Sequence, residues 1–240
     1  MGAQWKHAGR VQNSSKRGAL ISKLVKEITV AAKGGDPNPD NNPRLRAGVE
    51  AAKKASVPRD TIERAIKKGA GLLSDQVQYE TISYEGFTPH RVPVIVECLT
   101  ENKNRTAADV RVLFRKGQLQ NVGSVSWMFD RMGVVEATFA KEGIDIEGAA
   151  IEAGAQNVEP LEAEEVQAGQ TGARFFCTTT DLDAVSKGLI QLGWTVTLAE
   201  MSYIAKSFVE LADDQKKEVA EFLNAIDEHD DVHRVYAGIN

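Results

Sequence analysis

The sequence predicts an α+β multi-domain protein: an N-terminal three-helix domain followed by two α+β domains of sheet plus helices, ferredoxin-like in type, the third inserted in the second. Three observations carry that prediction. Apolar residues recur at helical spacing as far as Ile66, and after Gly71 the pattern changes to strand-like runs alternating with helical ones. The charge changes sign at the same place. Residues 1–68 hold 15 Lys or Arg against 6 Asp or Glu, a net of +9 in a chain of 240 residues whose net charge is −5. Boundaries placed on these shifts give domains at 1–77, at 78–138 with 206–240, and at 139–205.

Each helix of the first domain has its own start and stop. Ser14 or Ser15 can cap a helix that runs to about Lys33, where Gly34 and Gly35 end it. On that helix Leu20, Ile21, Leu24, Val25, Ile28, Ala31 and Ala32 gather on one side, with Lys16, Lys23, Lys26 and Lys33 opposite. The turn-rich stretch 36–40 leads to Asn42, a capping residue, with Pro43 at the first helical position. Leu45, Val49 and Ala52 line the inner side of this second helix, and Arg44, Arg46, Lys53 and Lys54 charge its outside. A third helix starts near Pro58, buries Ile62, Ala65 and Ile66, and ends at Gly69 with Arg64, Lys67 and Lys68 near its negative dipole end.

Strands over 81–85 and 92–99 follow, the second almost wholly apolar and therefore central. Residues 106–116 read as a helix with Thr106 and Asp109 as a capping box, and 124–129 and 134–138 return to strand character to complete that layer. The insert reads as helix 144–153, strand 157–160, an acidic loop over 159–172, strand 173–178, helix 182–192 and strand 195–199. Strand 207–211, helix 213–228 and strand 232–236 come last. A fragment of that size cannot bury both faces of its own sheet, so it returns to the domain begun at Thr81. Trp127 and Trp194 stand in strand-like apolar settings and are expected in the core.

Composition removes several functional classes. A 42% hydrophobic, 26% charged chain with apolar runs as short as 92–99 reads as soluble, and residues 1–20 hold no apolar signal-peptide core, so the expected location is cytoplasmic with no membrane partner. Cys98 and Cys177 are far apart within apolar runs and read as buried, reduced thiols. His7, His90, His229 and His233 are scattered, and no nucleophile turn or phosphate-cradling glycine loop is present, which argues against an enzyme and against a cofactor. His229 and His233 lie among Asp227, Glu228, Asp230 and Asp231, but the stretch spans a helix end and a turn, so a solvated acidic turn is favoured over a metal site.

The charge division points to a polyanion, because each phosphate neutralised by Lys or Arg releases condensed counterions whatever the base sequence. Backbone-led docking is expected through Lys16, Lys23, Lys26, Lys33, Arg44, Arg46 and Lys53, extended by Lys6 and Arg10, with Trp5 as a possible base-stacking residue or a residue packed on the bundle. Seven such contacts on duplex DNA imply a slope of log affinity against log salt of about −6. Lys23 and Lys26 lie opposite the apolar stripe, so reversing them to Glu is expected to weaken binding and leave folding intact.

Several runs together resemble one family. They are 22–28 (SKLVKEI), 35–37 with 42–45 (GDP and NPRL), 58–69 (PRDTIERAIKKG), 84–87 (YEGF), 102–106 (NKNRT) and 123–125 (GSV). In this combination, spread in order over the chain, the sequence is similar to the YebC/PmpR family. The resemblance implies three domains, the third inserted in the second, and a DNA-binding transcriptional regulator. It also implies an alternative, since some bacterial and mitochondrial relatives are described as ribosome-associated translation factors that meet RNA. A protein-interaction scaffold with acidic α+β domains is a further alternative. The sequence departs from the family pattern after the 84–87 run, where a glycine-rich turn is replaced by Thr88-Pro89-His90-Arg91, and at 117–122. Charge alone does not separate DNA from RNA, and the oligomeric state is not written in the sequence.

Overall fold

The fold is that of a computed structural model, and the structure describes residues 14–73, 79–162 and 165–239. The chain forms α1 (Ser14–Lys33), α2 (Pro43–Lys54), α3 (Arg59–Gly69), β1 (Glu80–Phe87), β2 (Pro93–Thr100), α4 (Lys103–Leu113), β3 (Gln118–Gln120) and β4 (Phe129–Phe139). It continues as α5 (Ile146–Ala153), β5 (Asn157–Pro160), β6 (Thr171–Cys177), α6 (Leu182–Gln191), β7 (Thr195–Ala205), α7 (Asp213–Asp227) and β8 (Val232–Ala237). Among the described residues no helix is long and apolar enough to cross a membrane.

Local chemistry sets several of these ends. Asn42 accepts the amide of Leu45 at 3.0 Å with Pro43 at the first position of α2, as its sequence requires. The capping box expected at Thr106 and Asp109 is corrected. Asn102 caps α4 by accepting the Arg105 amide at 3.1 Å, and Thr106, fully buried, spends its hydroxyl on Thr100 and Asp231 instead.

Two four-stranded sheets result, in the orders β3-β1-β2-β8 and β5-β6-β4-β7. The first has β2 in its interior, with Ile95 facing Glu85 of β1 on one side and Tyr236 of β8 on the other. The C-terminal strand thus joins the sheet begun at β1. In the second sheet the chain runs β4-α5-β5-β6-α6-β7, the split βαβ arrangement of a ferredoxin-like layer. Strand character at 134–138 was expected to complete the first sheet; β4 pairs instead with β6, Val135 facing Phe175 and Ala137 facing Ala173. An apolar alternation specifies which face is buried but not which sheet receives it. Residues 207–211 are not a strand; Val209 makes a lone backbone bond to Gly238 at 2.9 Å.

The described residues fall into two compact units, one drawn from 14–26, 79–130 and 203–239 and the other from 27–73, 131–162 and 165–202. In the first, α4 and α7 cover one sheet face with Val110, Val219, Phe222, Leu223 and Ile226 against Val94, Val96 and Cys98. The opposite face is closed locally by Val125 and Phe129 on Ile95 and Tyr236. In the second, α5 and α6 cover Val135, Ala137, Phe175 and Val196, and Trp194 is buried as expected. Ala47 of α2 joins that same core, so α2 is not part of a free-standing bundle. Both cysteines are buried and free, and burial pushes the thiols up, Cys98 to about 12 and Cys177 to about 11.

Helix α3 approaches the end of α1 more closely than a side chain allows: a Cβ at Gly69 would lie 2.2 Å from the Thr29 carbonyl oxygen and 2.8 Å from the Ala32 Cβ. Gly69→Ala is therefore expected to destabilise the protein by about 1 to 3 kcal/mol, the usual cost of overpacking. An unchanged chemical-denaturation midpoint would show that the two helices are not in this contact.

Candidate nucleic-acid interface

Lys23 and Lys26 of α1 do not stand on an open ridge. Lys23 donates to the backbone carbonyl and the carboxylate of Asp227, the latter at 3.2 Å, and Lys26 donates to the Asp230 carbonyl at 2.7 Å and the Asp231 carboxylate at 3.2 Å. Their side chains keep only 16% and 14% of their exposure. The expectation that both point to solvent is corrected, and the physical reason is visible along the helix. Residues 21–26 are all half-buried, whichever side they occupy. A helical wheel separates apolar from charged sides, but a charged side can be covered when carboxylates meet it.

Those carboxylates belong to the acidic turn between α7 and β8, and Asp231 is its centre. It is 4% exposed. One oxygen accepts from Lys26, and the other from Arg105 at 2.8 Å and Thr106 at 2.9 Å, while the Asp231 carbonyl accepts the Leu99 amide. Burial, the largest influence, pushes the carboxyl up, but the bonds from Arg105, Thr106 and Lys26 outweigh it and hold the group below its ordinary value. Lys26 also stands 5.9 Å from the Tyr79 ring centre. His229, weighed above as a metal ligand, has both ring nitrogens engaged, with Asp109 at 3.3 Å and the Asp231 amide at 3.1 Å.

In the other unit, Arg44 makes a forked pair with the buried Glu27, its Nε at 2.7 Å and its Nη2 at 3.3 Å. Arg46 donates to the carbonyls of Pro39 and Asp40 and so holds the turn before α2. These two are corrected in the same sense: each guanidinium is spent on the fold. Lys53 remains exposed, paired with Glu50 on the same helix at 2.6 Å, a surface pair worth about 0 to 1 kcal/mol that a phosphate can displace. Lys33 is exposed at the end of α1. Lys6, Arg10 and Trp5 lie outside the described residues, as does the side chain of Lys16.

Lys54, Arg64 and Lys67, which the sequence did not single out as contacts, are exposed like the expected Lys33, and none of the four has a carboxylate partner among the described residues. The Gly69 contact brings the C-terminal ends of α1 and α3 together, so Lys33 and Lys67 share one end of this helical region. Exposure on the outer side of α3, where Asp60, Glu63, Arg64 and Lys67 recur at helical spacing, was the signal available for Arg64 and Lys67.

Comparison with known proteins matches this geometry to one group. A model of the TACO1/YebC N-terminal domain matches residues 3–72, and a model of the TACO1/YebC second and third domain matches residues 79–239. The chain belongs to the TACO1/YebC family. A probable transcriptional regulatory protein of Pseudomonas syringae pv. syringae (strain B728a) is 55% identical over 241 residues, covering 100% of this chain and 99% of its own. A probable transcriptional regulatory protein of Bdellovibrio bacteriovorus is 51% identical with full coverage of both chains. The crystal structure of a conserved hypothetical protein, Aq1575, from Aquifex aeolicus is 38% identical, has a TM-score of 0.80, and covers 99% of this chain and 96% of that one.

Two stability outcomes follow from the Asp231 cluster. Because its folded value is depressed, the stabilisation is complete above the ordinary carboxyl value of about 4 and is lost as the pH falls through the lower folded value. Asp231→Asn should cost about 3 to 5 kcal/mol near neutral pH, and its gap to the parent should narrow below about pH 4, read by urea denaturation at several pH values. Lys26→Glu should also destabilise, since it sets a carboxylate against Asp231, whereas Lys67→Glu should stay within about 0.5 kcal/mol of the parent. Equal stability of the two lysine variants would contradict the placement of Lys26.

Proposed function

We propose that this chain is a non-enzymatic, cytoplasmic regulator of gene expression that binds nucleic acid, duplex DNA first, through Lys33, Lys53, Lys54, Arg64 and Lys67. The observation that carries this reading is a division among the cations. Lys23, Lys26, Arg44 and Arg46 are held by carboxylates or backbone carbonyls, whereas Lys33, Lys54, Arg64 and Lys67 are exposed without a carboxylate partner among the described residues. Unpaired surface cations keep their counterion-release energy for a phosphate chain, and Lys53 can exchange its exposed Glu50 partner for a phosphate, whereas cations held in the buried or part-buried pairs do not. The relatives' description as probable transcriptional regulatory proteins supports the same role. Contact is led by the backbone; none of these residues sits in a helix-turn-helix or zinc-finger spacing that would read bases.

Five contacts replace the seven suggested by the sequence, so log affinity for a DNA fragment should fall with log salt at a slope of about −4.5. A slope near zero would overturn the reading. One observation favours a second reading, a ribosome-associated factor: Trp127, expected in the core, is 67% exposed, and an open indole suits unpaired RNA bases better than a closed duplex. Under that reading the protein should sediment with ribosomes in a sucrose gradient at moderate salt and leave that fraction after ribonuclease treatment. Absence from the ribosomal fraction with retained DNA binding would restrict the role to DNA.

A further inference from the structure

The hairpin between β1 and β2 is strained. His90 and Arg91 both have positive φ, 63° and 60°, in the left-handed region where a Cβ crowds the backbone and glycine alone is at ease. Such conformations persist only where surrounding contacts impose them. Here the Thr88 amide donates to the Val92 carbonyl at 2.9 Å and the Arg91 amide to the Thr88 carbonyl at 3.2 Å, which closes the hairpin. His90 accounts for its own place, since its Nε2 meets the Glu218 carboxylate of α7 at 2.9 Å. Arg91 does not. It is exposed and has no carboxylate partner among the described residues, so a position suited to glycine holds a cation that the fold leaves unused.

Other cations stand at the same end of β1. A Cβ at Gly117 would lie 2.4 Å from the Phe87 carbonyl oxygen and 2.9 Å from the Phe222 ring of α7, so Arg115 and Lys116 come to the point where the hairpin leaves the strand. The bond between Arg91 and Thr88 keeps their Cα atoms within about 7 Å of each other. Arg111 precedes Arg115 by one turn, because the helical course of α4 continues through Leu113 into a 3-10 turn over Phe114–Lys116, and residues four apart on such a course share a side. Phe114, buried, lies over Gly86 of β1: a Cβ there would fall 2.6 Å from its ring. Arg111, Arg115 and Lys116 are exposed like Arg91, and none of them pairs with a carboxylate among the described residues.

The acids on these elements are engaged elsewhere. Glu218 meets His90, Asp109 of α4 meets His229 at 3.3 Å, and Glu97 of β2 accepts the Tyr236 hydroxyl at 3.0 Å. Glu85 of β1, 4% exposed, accepts the amides of Gly123 at 2.8 Å, Val125 at 2.6 Å and Ser126 at 2.8 Å. It thereby closes, on the opposite sheet face, the turn over 121–128 that carries Trp127 and that the sequence reads in part as a strand. Burial pushes the Glu85 carboxyl up, but the three backbone donors outweigh it and keep the group ionised in that turn. Four open cations therefore stand together in a part of the chain that is acidic overall. Duplex DNA, with one negative charge per about 1.7 Å and a condensed counterion layer to release, repays them better than a carboxylate surface without such a layer. Arginine also offers forked donors that match phosphate oxygens.

We propose that Arg91, Arg111, Arg115 and Lys116 form a second docking surface for the phosphate backbone of duplex DNA, carried on the other compact unit from Lys33, Lys53, Lys54, Arg64 and Lys67. The inference rests on the nucleic-acid reading above and extends it from one contact surface to two. Contact at the second surface is with phosphates and is independent of base sequence.

The test uses full-length protein in which Lys33, Lys53, Lys54, Arg64 and Lys67 are all replaced by Gln, which isolates the second surface. This protein should still bind a short DNA duplex at low salt, with log affinity falling against log salt at a slope of about −3.6 for four contacts. Adding Arg111→Gln, Arg115→Gln and Lys116→Gln should flatten the slope to about −0.9. Arg91→Gly in the five-Gln protein should reduce the slope by about 0.9 while the urea-denaturation midpoint holds or rises, because glycine relieves the left-handed conformation. A lower midpoint together with weaker binding would assign Arg91 to the fold and overturn its place in the surface. If the parent binds the duplex but the five-Gln protein does not, or if its residual binding ignores the second set of substitutions, the second surface is overturned and the first stands. Equal binding of the five-Gln protein to polyglutamate of matched charge would overturn the phosphate assignment in favour of an acidic protein. Failure of the parent to bind the duplex would remove both surfaces.

Discussion

One buried carboxylate organises the first unit. Asp231, in the turn before β8, sits where the end of β2, the start of α4 and the middle of α1 converge, and each of these three contributes a donor: the Leu99 amide to its carbonyl, and Arg105, Thr106 and Lys26 to its carboxylate. An ionised carboxylate removed from water costs several kcal/mol unless such donors surround it. With all of them present the cost is met, and the segment carrying Lys26 is tied to residues more than 200 positions later. Any account of what α1 does must start from that attachment.

The attachment divides the positive charge of the first 68 residues into two kinds. Lys23, Lys26, Arg44 and Arg46 hold elements together, and Lys33, Lys54, Arg64 and Lys67 remain at the surface without carboxylate partners among the described residues. Net charge at sequence level counts both kinds alike, although only the second can exchange its counterions for phosphates. Glu85 plays for the Trp127 turn the part that Asp231 plays for α1: a buried acid satisfied by local donors that fixes a segment in place.

What could be read from sequence was what depends on near neighbours. Asn42 with Pro43, the stop at α1, the apolar run of β2 and the burial of Trp194 all follow from periodicity and capping within a few residues. Long-range pairing was opaque. Asp227, Asp230 and Asp231 looked like a solvated acidic turn because nothing nearby in sequence matches them; their partners lie about 204 positions away on α1. Residues 124–129 alternate like a strand, and only the carboxylate of Glu85, reaching across from β1, turns them into a loop with an exposed indole. The strand at 134–138 was recognised but given to the wrong sheet, since alternation shows which face is buried and not which sheet receives it.

The central claim, that one set of basic side chains builds the fold and another meets the ligand, is tested most directly by lysine acetylation read by mass spectrometry, with and without bound nucleic acid. Lys23 and Lys26 should react slowly in both states, while Lys33, Lys54 and Lys67 should react readily in the free protein and become protected in the complex. Fast modification of Lys23 and Lys26 in the free protein, suppressed by the ligand, would contradict the account and restore the α1 ridge as the contact surface.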